Sequence, residues 1–163
     1  MNDEWVGRVI GCLEDWDFES ALKEAEEALE VADTPEKRGE VYLLISAVAE
    51  HTGDRGKRGE ALFKALEIFR SLGDRAKEIQ VLALIADAHL EREAESAVDD
   101  ALNCYSEALK IALHDKALYR QLLPRILSGV GSALVVRDSE LSREFFKLSS
   151  RLEEKYKEEL ESD

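Results

Sequence analysis

Apolar residues recur three and four positions apart along almost the whole chain, the spacing that puts them on one face of an α-helix. Trp5, Val9, Cys12 and Leu13 share a face in the first segment. Phe18, Ala21, Leu22, Ala25, Ala28 and Leu29 line a second, entered at Asp17, a good N-cap. Thr34-Pro35 starts a third, with Val41, Leu44, Ile45, Val48 and Ala49 inward. Gly53-Asp54 and Gly73-Asp74 punctuate the next two boundaries, because glycine readily adopts the left-handed C-cap conformation. Between them lie Leu62, Ala65, Leu66 and Phe69. A fifth helix, from about Arg75 to Glu93, carries Ile79, Leu82, Ile85, Ala86 and Leu90. A sixth, from about Ser96 to Leu113, carries Val98, Ala101, Leu102, Tyr105, Ala108, Leu109 and Ala112. His114-Asp115 reads as a turn, and Asp138-Ser139 as the start of the last helix, with Leu141, Phe145, Phe146 and Leu148. The seventh, about 116–136, contains Pro124, which predicts a kink or break near Leu123. No strand-like alternation of useful length appears. The pattern predicts an all-α fold of about four antiparallel helix pairs, near residues 2–33, 35–72, 74–113 and 115–160, in one domain.

Composition agrees. With 45% hydrophobic and 36% charged residues, only 2 prolines and 9 glycines, the chain is a helix former with enough apolar mass for a core. Charge narrows the partners. A formal net charge of −14 repels nucleic acid and anionic membrane surfaces, and either serves solubility or draws a basic or apolar partner. Cys12 and Cys104 lie far apart, match no metal spacing and read as buried free thiols of a reducing compartment. The Met-Asn-Asp-Glu-Trp start has neither basic flank nor apolar core, and no apolar run is long enough to span a bilayer. These point to a cytoplasmic protein.

One phrase repeats: Glu27-Ala28-Leu29-Glu30-Val31, Lys64-Ala65-Leu66-Glu67-Ile68 and Glu107-Ala108-Leu109-Lys110-Ile111, its alanines 37 and 43 residues apart. A period of that size holding two helices is the mark of a helical solenoid. Small residues also sit seven apart on second helices: Ala21 and Ala28, Ala101 and Ala108, Ser142 and Ser149. In this the chain resembles the tetratricopeptide repeat family in its longer form. Asp17-Phe18-Glu19-Ser20-Ala21 looks like that family's turn into the second helix, Trp5 like its first-helix aromatic, and Ser46, Ala86 and Gly131 like its small mid-helix residue. Arg58 and Val9 depart from the pattern, each standing where a small residue is expected.

The resemblance implies an α-solenoid whose first helices line a concave wall. The side chains placed there are Leu43, Leu44, Ala47, Glu50 and His51, then Gln80, Ala83, Leu84, Asp87 and Glu91, then Arg125, Ser128 and Ser132. Family members that clamp a carboxylate use Lys, Arg and Asn where Leu43, Ala47, Ala83 and Asp87 stand here, so that ligand is not expected. An apolar groove with an acidic rim instead suits a peptide or helix with basic residues. Alternatively, these residues are core. No phosphate loop, nucleophile elbow, HExxH or CxxC motif occurs, and no cofactor or metal is implied. His89 and Glu93, one turn apart, read better as a surface pair than as metal ligands. Arg55, Lys57 and Arg58 among Gly53, Gly56 and Gly59 read as an exposed loop rather than an anion site. The expected function is non-enzymatic protein interaction. The alternatives are self-association as a homodimer through an open end and, in another class, a small-molecule pocket between helices.

Overall fold

The computed structural model describes residues 4–92 and 94–162. Among them the chain is all-α: α1 (Glu4–Glu14), α2 (Phe18–Val31), α3 (Pro35–Thr52), α4 (Arg55–Leu72), α5 (Arg75–Leu90), α6 (Glu95–Ala112), α7 (Lys116–Leu134) and α8 (Ser139–Glu161). It divides into two compact units, one ending at Asp74 and one starting at Arg75. In each unit consecutive helices pack on one another, the arrangement of a helical-repeat fold.

Local chemistry sets the boundaries. Asp17, Thr34, Asp54, Asp115 and Asp138 each accept a backbone N–H of the first turn they precede. Gly53 (φ 74°) and Gly73 (φ 69°) take the left-handed conformation and close α3 and α4. The Asp54 cap also corrects one expectation: residues 55–59 form the opening turns of α4 rather than a loop, and Arg58 is buried. Of the kink or break expected near Leu123, a break does not occur: α7 runs through Pro124 without interruption. Tertiary contacts hold it: Pro124 is buried between Leu123 and Ile126, and the Ser149 hydroxyl donates to its carbonyl (2.7 Å).

Small side chains mark where second helices meet first helices. Ala21, Ala28, Ala101, Ala108, Ser142 and Ser149 are all buried. Ser142 and Ser149 also donate to the carbonyls of Gly131 (2.8 Å) and Pro124, pinning α8 antiparallel to α7. Glycine does the same work from the other side at two places. A Cβ on Gly39 would lie 2.6 Å from Phe69 Cζ, and one on Gly129 would lie 2.3 Å from two ring carbons of Tyr105. Phe69 and Tyr105 are the largest fully buried side chains, so each glycine is the floor of an aromatic slot.

Candidate binding faces

In the first unit Leu43, Ala47 and Glu50 lie along one face of α3. Leu43 and Ala47 are half-buried, and Glu50 and His51 are exposed. Leu44 turns toward the core cluster of Val41, Ile45 and Val48. Glu50 reaches Arg58 of α4 (3.5 Å). The His51 ring stacks on Phe18 at 5.6 Å between centroids and 9° between planes, and Trp16 meets Phe18 edge-on at 6.0 Å. Trp16 is 80% exposed and sits at φ 59°, a left-handed conformation that costs an L-residue roughly 1–2 kcal/mol. Around it Glu14, Asp15, Asp17 and Glu19 are exposed. Hydrogen bonds from Ser20 hold the Asp17 carboxyl below its usual range. Trp16 is absent from the sequence-derived site. The available signal was a tryptophan between two aspartates, off the apolar stripe of either flanking helix.

In the second unit the expected residues separate into core and surface. Ala83 is buried at 5% exposure and belongs to the core; Leu84 is half-buried; Gln80 and Glu91 are exposed. Ser128 is half-buried, and Ser132, exposed, donates back to the Ser128 carbonyl (3.1 Å). Asp87 and Arg125 come together across α5 and α7, with Arg125 Nη2 on Asp87 Oδ2 at 2.5 Å. The Tyr105 hydroxyl donates to the other oxygen, Asp87 Oδ1, at 2.6 Å. Asp87 is therefore a paired carboxylate, and in this unit the expected acidic rim is neutralised there. Its replacement by arginine would set two guanidiniums together and disturb packing, so it is no test of partner binding.

Burial first, then the hydrogen bond and charge of Asp87, push the Tyr105 phenol above its ordinary range. Burial opposes the Arg125 charge, but Asp87 and Tyr105 together outweigh it and raise Arg125 as well. A phenol that resists ionising when folded destabilises the fold in alkali. Its contribution is intact below about pH 10, the unfolded value, and is lost as pH rises above that. Stability should fall between about pH 8 and pH 10.5 by a larger amount in the native chain than in Tyr105→Phe, as read by denaturant unfolding at both values. Equal losses would mean Tyr105 does not titrate differently on unfolding.

Beyond the Ser149–Pro124 bond, α7 and α8 leave a cavity of about 690 Å³ between them. Ala117, Pro124, Tyr156 and Leu160 give it a largely apolar lining, and Arg120, Gln121, Arg125, Glu153, Lys157 and Glu159 surround them. Arg120 lies 3.4 Å from Glu159 and 6.0 Å over the Tyr156 ring. Little in the chain announces this cavity, since residues 153–159 are mostly charged and read as a solvated terminal cap.

Elsewhere, no group of His, Cys, Asp and Glu is arranged to hold a metal among the described residues. His89 lies near Arg92 and Asp100, while Glu93, its suggested partner, falls outside the described residues. Cys12 and Cys104 are free thiols, half-buried rather than fully buried, and desolvation pushes the Cys104 thiol up. Among the described residues no helix is long and apolar enough to cross a membrane. No protein-family model matches the chain, and no curated protein matches it significantly.

Proposed function

We propose that this chain is a non-enzymatic interaction module of tetratricopeptide-like build, working in the cytoplasm, that holds a basic amphipathic peptide or helix on the α3 side of its first unit. One observation carries the reading: the half-buried Leu43 and Ala47 run toward His51, which is stacked on Phe18, with the exposed Trp16 edge-on to Phe18 and four exposed carboxylates around it. Apolar side chains of a partner helix gain area on such a face. A lysine or arginine gains both the acidic surroundings and the face of the Trp16 ring. The net charge of −14 steers the same partner.

The backbone at Trp16 supplies a clean test. Trp16→Gly removes the ring and its edge-on contact with Phe18 but relieves the left-handed strain, so stability should change by about 1 kcal/mol or less while affinity falls. The probe is a labelled amphipathic helical peptide with a lysine- and arginine-rich polar face, followed by fluorescence anisotropy. Trp16→Gly and Leu43→Asp should each weaken it about tenfold, and salt should weaken it in the native chain. If the same peptide with glutamates replacing its cations binds equally well, or if both variants bind like the native chain, the proposal fails.

A further inference from the structure

We infer that His51 is a proton switch on the α3 face: protonating it sets a fixed cation against Phe18, which repels the basic partner and loosens its hold. This rests on the reading of that face given above and adds to it a regulation by pH. Histidine is the side chain that ordinarily changes charge between pH 5 and 8. Of the three in the chain, His51 lies on the α3 face, while His89 and His114 belong to the second unit. Its ring is exposed and makes neither hydrogen bond nor ion pair among the described residues; its contact is the stack on Phe18.

The charge, once present, stays on the face. A cation gains from an aromatic ring within about 6 Å, and the His51 ring lies flat on Phe18 at 5.6 Å between centroids. His51 also sits in the last turn of α3, the end of a helix where positive charge is favoured. The charged groups around it come from every element that begins or ends here. They are Glu14 of α1, Asp15 and Asp17 of the turn, Glu19 of α2, Glu50 of α3, and Asp54, Arg55, Lys57 and Arg58 at the start of α4. Most already have work: Asp17 and Asp54 cap α2 and α4, Lys57 pairs with Glu26, and Arg58 with Glu50. With His51 neutral, the carboxylates beside Trp16 are left to the partner's lysine or arginine. With His51 protonated, a resident cation offsets their pull and opposes the incoming one. Carboxyl groups ordinarily titrate near pH 4 and lysine and arginine above pH 10, so between pH 5.5 and 7.5 histidine is the side chain whose charge changes.

The test uses the full chain and the cationic amphipathic peptide of the preceding experiment, made without histidine and acetylated so that its own charge is constant. Anisotropy titrations at pH 7.5 and pH 5.5, at one ionic strength, give the two affinities. The native chain should bind about fivefold more weakly at pH 5.5. His51→Gln, neutral throughout, should bind equally at both values. His51→Arg keeps a flat cation over Phe18, so at both values it should bind as weakly as the native chain does at pH 5.5. Position 51 is exposed, so both variants should fold, which circular dichroism verifies. If the native chain does not hold the peptide at pH 7.5, the reading of the α3 face falls and the switch with it. If it holds the peptide equally well at both values, or if His51→Gln loses as much affinity on acidification as the native chain, the face stands and the switch is overturned.

Discussion

Gly129→Ala should cost the second unit about 2 kcal/mol, even though alanine is the better helix former by about 1 kcal/mol. The added Cβ would stand 2.3 Å from Cε1 and Cζ of Tyr105 and 2.5 Å from its hydroxyl, where carbon contacts prefer roughly 3.5–4 Å. A flexible side chain would swing aside. Tyr105 cannot do so cheaply: its ring is rigid, it is 1% exposed, and its hydroxyl is committed to Asp87 at 2.6 Å. Moving the ring by the required ångström or more gives up that charge-assisted bond, worth about 1.5–3 kcal/mol, and forces the neighbours on α6 and α7 to repack. Thermal unfolding should shift down by about 4 °C or more. The double variant Gly129→Ala with Tyr105→Leu identifies the cause. Leucine lacks the clashing ring atoms, so the pair should be less destabilised than the two single changes added together, by about 1 kcal/mol or more. A neutral or stabilising Gly129→Ala would mean that the Tyr105 slot is not closed.

The features legible in the sequence are those decided within a turn or two of chain. The caps at Asp17, Thr34 and Asp138, the turn at His114-Asp115 and the left-handed closures at Gly53 and Gly73 depend on neighbouring backbone alone, and all are present. The small residues seven apart were also legible, since a helix face is a local property, and they are buried as that spacing requires. What was not legible depends on residues far apart in sequence. Asp87 and Arg125 are separated by 38 positions, and nothing in the spacing of either announces that they pair or that Tyr105 joins them. Reading both as separate surface charges gave α5 an acidic rim, which their pairing neutralises at Asp87. At Pro124 the local rule predicted a kink or a break; the helix continues through it, and Ser149 and buried neighbours hold that turn. In α8 the charged run hid Tyr156 and Leu160, four residues apart and on one side of the helix, which is the side that borders the cavity.

Arg58 is where the repeat pattern and the packing disagree most, and its replacement decides between them. By the repeat, position 58 pairs with Ala65 as Ala21 pairs with Ala28, and an alanine there should let α3 and α4 close up. By the structure, the side chain at 58 is 5% exposed, and its guanidinium lies 3.5 Å from Glu50 of α3. A long side chain removed from a packed interior leaves a void that relaxes only in part. Arg58→Ala should therefore destabilise the first unit by about 2–4 kcal/mol, as read by denaturant unfolding. Arg58→Met, which keeps most of the volume and discards the charge, should cost clearly less than Arg58→Ala, since the Glu50 it leaves behind is half-exposed and stays hydrated. Glu50→Gln should cost about 1 kcal/mol or less, because the Glu50 side chain is 50% exposed and its attraction is screened. The order matters more than any one value. Alanine well below methionine means that volume at this position holds the two helices. Alanine equal to or above the native chain would mean that the interface prefers the small residue the repeat calls for, and that arginine is tolerated there rather than required.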